Sequence, residues 1–237
     1  ADTPLGDLQS TTVGSPVFLQ RFRLYDDLRR TRTFAPTFVV LSGDKDDPRF
    51  DEFYMHGNAL RLFIALFLTD MPSYMALGFE TRDIHHQTAP NEHYTKLYVF
   101  QESLGPKATN GPYVWGKNGA LFHDVTRLRL FAVKIWPEIR RRHTRWLIAP
   151  DPTGEAKHIA WTQADGQPDY VFVANTDGHE GIRNFNLPCV APDTRLELVF
   201  STAGPAGVDD QILTPGDKAY KVNYLAQDEG RVYRVVR

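Results

Sequence analysis

Apolar residues follow two different patterns along this chain, and the change falls near residue 150. In the first part, apolar positions recur at helical spacing and alternate with short β-branched runs. Residues 1–14 are polar and rich in Thr, Ser and Gly, and read as a loop. Ser15-Pro16 then supplies an N-cap hydroxyl followed by proline at the first helical position. Val17, Leu24, Tyr25 and Leu28 fall near one face of the helix that follows, and Arg29-Arg30 suits its C-terminal dipole. Residues 37–41 form a β-branched apolar run of strand length, 53–69 a second helix and 71–77 a second strand. A long connection rich in Gly, Pro, Asn and His covers 80–119. A third helix is predicted over 120–142, with Leu121, Val125, Leu128, Phe131 and Ile135 in register and Pro137 bending or ending it.

Beyond Pro150 the runs become short and alternating. Residues 158–163, 170–175, 195–201, 218–225 and 231–236 each read as strands, separated by DG, DP and PG turn signals. This is the texture of an antiparallel sandwich or barrel. Strand-helix units require parallel strands, so the order predicts an α/β plus all-β fold. Residues 1–150 would form the last units of a (β/α)8 barrel, and 151–237 an antiparallel β-sandwich. No internal repeat or low-complexity tract interrupts it.

Composition narrows the functional classes. The 237 residues are 42% hydrophobic and 24% charged, with a formal net charge of −2. That balance favours neither nucleic acid nor an anionic membrane as partner. The longest apolar run, 62–68, is too short to span a bilayer, and no signal-peptide pattern opens the chain. Ala1 in place of a methionine points to a processed chain or a fragment. The single cysteine, Cys189, excludes an internal disulfide and is compatible with the cytosol. It has no histidine or charged activator near it in sequence and reads as inert.

Carboxylates just past the C-terminal ends of buried strands are where a β/α barrel keeps its chemistry. The first strand exits into Asp44, Asp46 and Asp47, and the second into Glu80. The same DKDD stretch also reads as a solvated turn before the next helix. His85, His86 and His93 lie near Asp83, but adjacent histidines on a strand point opposite ways and no helical HxxxH or second cysteine supports them, so no metal is expected. Tyr94, Tyr98, Tyr113 and Trp115 in the long connection either pack it down or stack on sugar faces. Arg140, Arg141 and Arg142 with His143 read as a solvated helix end.

Four segments, in order, resemble the C-terminal part of the α-amylase family (glycoside hydrolase family 13) over residues 35–237. FVVLSGD at 38–44, followed by Pro48-Arg49, is similar to the seventh barrel strand, and ALFLTDMPSYMALGFE at 65–80 to the helix entering the eighth. LRLFAVKIWPEI at 128–139 resembles the last barrel helix, and YVFVANTDGHEGIRNFNLP at 170–188 the β domain behind it. The resemblance implies that Asp44, or Asp46 if the loop shifts by two, stabilises the transition state by gripping sugar hydroxyls more tightly as the ring flattens. It implies that Arg49, Glu80, Tyr113 and Trp115 attend an α-glucan or α-glucoside substrate, without a cofactor. The family's nucleophile and acid/base motifs are absent, and Gly43 stands where the family has histidine. The expected function is therefore the C-terminal portion of an α-amylase-type glycoside hydrolase or transglycosylase, inactive alone. Its open barrel edge would be covered by the missing N-terminal barrel segment or by self-association. The alternative is a non-catalytic carbohydrate- or protein-binding module derived from that fold.

Overall fold

A computed structural model describes residues 23, 26–27, 30–31, 39–40, 58–69, 73–74, 119–150, 157–177, 180–204 and 210–237. Arg23, Asp26, Asp27, Arg30 and Thr31 are helical, within the first predicted helix. Strand β1 (Val39–Val40) is followed by α1 (Asn58–Ile64), which runs on into a π-helical turn (Ala65–Thr69). Strand β2 (Ser73–Tyr74) then pairs with β1 in parallel. Leu60, Leu62, Phe63, Leu66, Phe67 and Leu68 are all buried. These buried side chains point in several directions around the axis, so α1 and the π turn need cover on more than one side.

Helix α2 (Gly119–Ile139) is one-sided instead. Val125, Leu128, Ala132, Ile135 and Ile139 are buried at alternating spacings of three and four, while Leu130 and Val133 on the outer face are 70% and 61% exposed. Pro137 is accommodated within its last turn. The helix stops at Ile139, three residues short of the predicted end, because Arg141 turns into the left-handed region at φ 60°. The chain re-emerges at once as β3 (Thr144–Ile148). Thr144 Oγ1 donates to the buried carboxylate of Asp26 at 3.0 Å, which ties the start of β3 to the N-terminal helix.

The remaining strands are β4 (His158–Gln163), β5 (Tyr170–Asn175), β6 (Ile182–Pro188), β7 (Arg195–Ser201), β8 (Ile212–Leu213), β9 (Ala219–Leu225) and β10 (Gly230–Val236). Six form one antiparallel sheet in the order β3-β4-β5-β10-β7-β8, and β6 pairs with β9 in a second. One face of the large sheet, with Ile159, Trp161, Phe172, Ala174, Phe200 and Val232, packs against α1 and α2. The other face, with Ala160, Val171, Val173, Leu196, Tyr233 and Val235, packs against Phe185 and Leu187 of β6 and Tyr220, Val222 and Leu225 of β9. Strands β4 and β5 are thus buried on both faces, which is why they read as nearly continuous apolar runs.

Three strands were not apparent in the sequence. Strand β3 lies before residue 150 and pairs with β4. Strand β6 buries only Phe185 and Leu187, and Asn184 at φ 52° breaks its alternation. Its last residue, Pro188, is tolerated because β6 is an edge strand. Strand β8 is only two residues long.

Strand β10 passes so close to α1 that a Cβ on Gly230 would stand 2.7 Å from the ring of Phe63. Gly230→Ala is therefore expected to cost about 1–3 kcal/mol as the ring is displaced. Gly166→Ala, where a Cβ meets nothing within 4 Å, should stay within ~1 kcal/mol of the parent. Urea unfolding midpoints compare the two directly.

Candidate functional site

Strands β1 and β2 define one end of the barrel portion. Val39 lies opposite Ser73 and Val40 opposite Tyr74, so the two strands finish level with each other, about 4.8 Å apart. The two strands run in the same direction, and in a β/α barrel the chemistry lies beyond the C-terminal ends of such strands. Asp44, Asp46, Arg49, Glu80, Tyr113 and Trp115, like His85, His86 and His93, lie outside the described residues.

The opposite end is held by side-chain donors. The last carbonyls of a helix have no partner within it. Here Leu66 O accepts from Trp136 Nε1 at 3.4 Å, Phe67 O from Trp161 Nε1 at 2.9 Å, and Leu68 O from Gln163 Nε2 at 3.2 Å. The donors come from α2 and β4. They fix where the chain leaves the π turn and so where β2 begins.

A buried charge cluster sits within the β domain. Arg231, 2% exposed, meets Glu229 through Nε at 2.7 Å and Nη2 at 3.0 Å, and its Nη1 reaches Asp210 at 3.3 Å and the Tyr233 hydroxyl at 3.1 Å. Burial is the largest single influence and opposes the charge on Arg231, but the hydrogen bonds and attraction of Glu229 and Tyr233 together outweigh it, so its pKa is raised and the guanidinium stays protonated. Burial pushes Tyr233 up to about 12, against the pull of Arg231. Glu229 also accepts from Ser201 Oγ at 2.6 Å and Ala226 N at 2.7 Å, and Asp210 from Asn223 N and Tyr224 N. Every member faces another member, which makes this a structural cluster rather than a reactive one. Nothing in the local sequence announces it, because Asp210 joins from a distant loop.

Other reactive groups are likewise occupied. Lys157 is raised by its hydrogen bonds to Asp177 and Glu180, at 2.8 and 2.7 Å. Burial pushes the Cys189 thiol up, which leaves it a poor nucleophile. The His158 ring lies 4.3 Å from that of Phe185, and burial lowers its pKa. Among the described residues no group of three or more His, Cys, Asp or Glu side chains forms a metal site, and no helix is long and apolar enough to cross a membrane.

No protein-family model matches the chain, and no curated protein sequence matches it. Solved structures do. The α-amylase from Geobacillus thermoleovorans, complexed with acarbose, superposes with a TM-score of 0.64 at 13% identity, covering 100% of this chain and 48% of that one. The trehalulose synthase from Pseudomonas mesoacidophila MX-45 gives 0.57 at 15% identity, covering 93% and 46%. A variant of trehalulose synthase in complex with sucrose gives 0.57 at 15%. The architecture is thus the C-terminal portion of a (β/α)8 barrel followed by an antiparallel β-sandwich, and the chain spans about half the length of these structures.

Two outcomes follow from the described groups. Arg231→Met leaves Glu229 and Asp210 buried without their cation, and should cost about 3–5 kcal/mol by urea unfolding. For His158, the folded value lies below the unfolded 6.5. On acidification the unfolded chain takes up its proton first, so stability is full above about pH 6.5 and is lost progressively below it, until the folded value is passed. In His158→Phe the fall in stability between about pH 7 and 5 should be shallower, as measured by thermal melts across that range.

Proposed function

We propose that this chain is the C-terminal portion of an α-amylase-type glycoside hydrolase or transglycosylase acting on α-glucans or α-glucosides. The observation that carries the reading is the superposition of the whole chain on half of an α-amylase, in the order barrel strand, helix, barrel strand, helix, β domain. Residues 1–150 belong to the barrel portion and 151–237 to the β domain, with β3 reaching forward to pair with β4. In this reading Asp44, with Asp46 as the alternative, stabilises the transition state. Arg49 and the aromatic residues Tyr113 and Trp115 line the sugar site, and Glu80 orders the second strand exit.

Retaining glycosidases need a nucleophile and an acid/base carboxyl about 5 Å apart. The family's motifs for both are absent from this sequence. The remaining barrel strands are supplied by a further segment of polypeptide or by association. The exposed Leu130 and Val133 on α2 favour a covering neighbour.

The 237-residue chain alone is expected to release no product from maltoheptaose or sucrose. The same chain joined to a barrel segment bearing the two carboxylates should do so, and Asp44→Asn in that protein should lower kcat/KM on the order of 100-fold. Turnover by the isolated chain would sink the division of labour. A loss in Asp46→Asn instead of Asp44→Asn would move the stabilising role by two residues.

A further inference from the structure

The outward side of α2 carries a pattern of its own. Successive helical residues turn by about 100°, so Thr126, Leu130, Val133 and Pro137 share one side, opposite the buried residues from Val125 to Ile139. All four are exposed, and Leu130 and Val133 keep 70% and 61% of their surface in solvent. Arg129 and Arg140 run along one flank of this stripe and Lys134 along the other, exposed as well. None of these seven positions is acidic. Glu138, in the last turn, is hydrogen-bonded to the Tyr170 hydroxyl. The result is an apolar ridge between two rows of cations.

The surroundings narrow what could cover it. The inner side of α2 is taken by α1 and the large sheet. Helices of a β/α barrel form an outer ring, so a neighbour in that ring sits beside α2 and leaves its outermost side open. Two copies of the stripe laid on each other would set like charges face to face. An anionic membrane would attract the stripe but repel the domain behind it, since residues 151–237 hold 13 Asp and Glu against eight Lys and Arg. Residues 119–150 have the opposite balance, seven Lys and Arg against two Asp and Glu. The complement of this local charge is a compact acidic surface rather than an extended one. From Thr126 to Arg140 the stripe is ~20 Å long, a length over which one helix packs along another.

We propose that the outward stripe of α2 docks an acidic amphipathic helix of another protein. Apolar side chains of that helix pack on Leu130 and Val133, and its carboxylates meet Arg129, Lys134 and Arg140. The surface is independent of the catalytic reading above.

A fluorescein-labelled peptide of about 18 residues, with leucine at helical spacing and glutamate on both flanks, tests this by anisotropy against the full chain. Saturable binding is expected with a Kd on the order of 100 μM. It should weaken roughly threefold or more between about 0.1 and 1 M NaCl as the charges are screened. Leu130→Ser combined with Val133→Ser should keep the parent's melting temperature, because both side chains are largely exposed, and weaken the peptide on the order of tenfold. Arg129→Glu combined with Lys134→Glu should reverse the preference, so that the peptide with lysine in place of glutamate binds better. The absence of saturable binding by the parent would overturn the proposal. Equal binding by the double-serine variant would overturn it by placing the peptide elsewhere, and equal affinity of the parent for the two peptides would remove the charge complementarity it rests on. Co-sedimentation with vesicles containing 30% phosphatidylserine, lost in the double-serine variant, would overturn it in favour of a membrane surface. A dimer lost in that variant would overturn it in favour of a second copy.

Discussion

Three successive carbonyls at the end of α1 would be stranded in an apolar core without the donors that reach them from outside the helix. Trp136, Trp161 and Gln163 each supply one. A buried carbonyl without a partner costs about 1–3 kcal/mol, so the placement of α1 is not free to drift from α2 or β4. Trp161 shows how much rests on one residue. Its indole N–H caps Phe67 O, its ring meets Phe63 edge-on at 6.0 Å, and it stacks on Phe172 at 5.5 Å. A single side chain thereby joins the barrel helix to two strands of the β domain. The π turn suits this arrangement, because widening the helix turns successive carbonyls away from the i→i+4 ladder and towards side-chain donors.

The far side of the β domain solves a related problem with charge. The β9–β10 turn, the end of β7 and the loop entering β8 converge where no apolar residue would satisfy their backbone groups. Glu229 and Asp210 accept from the N–H groups of Ala226, Asn223 and Tyr224, and Arg231 balances both carboxylates. Such a cluster adds little net stability against an apolar equivalent, but it is costly to break. Its effect here is to tie three chain segments to one guanidinium. Gly230 lies next to it in sequence and packs under Phe63, so the charge cluster and the helix contact act on the same end of β10.

Much of this architecture was legible from pattern alone. Strands β4, β5 and β7 match the predicted ranges, and β9 and β10 differ by one residue. Their apolar runs are strong because the sheet is covered on both faces. The weak signals came from residues with little apolar surface to bury. Strand β6 presents two buried side chains in seven, and β3 begins directly after a run of arginines that reads as a helix end. Left-handed Arg141, which separates α2 from β3, carries no sequence signature, since glycine is the usual residue there. The site was legible in a different sense. Two carboxylate-bearing strand exits can be read from the sequence, and Val39–Val40 pairs in parallel with Ser73–Tyr74, but the exits themselves lie outside the described residues. Gln163 gave no signal at all, because its role, donating to Leu68 O, rests on a contact visible only in three dimensions.

The packing also constrains how this region can serve as a module. A free-standing sandwich would consist of the six-stranded sheet with β6 and β9. That unit leaves Ile159, Trp161, Phe172, Phe200 and Val232 on an open face, since α1 and α2 are what cover them. At about 25 cal/mol per Å² such a face is too large to leave in water without another partner. The helices in turn bury residues against the sheet, with Phe67 stacked on Phe172 at 5.2 Å and Phe131 on Phe200 at 4.9 Å. The barrel helices and the β domain therefore form one hydrophobic core rather than two modules in contact. A binding function assigned to the β strands alone would still require the barrel helices, whatever chemistry the other end of the barrel performs.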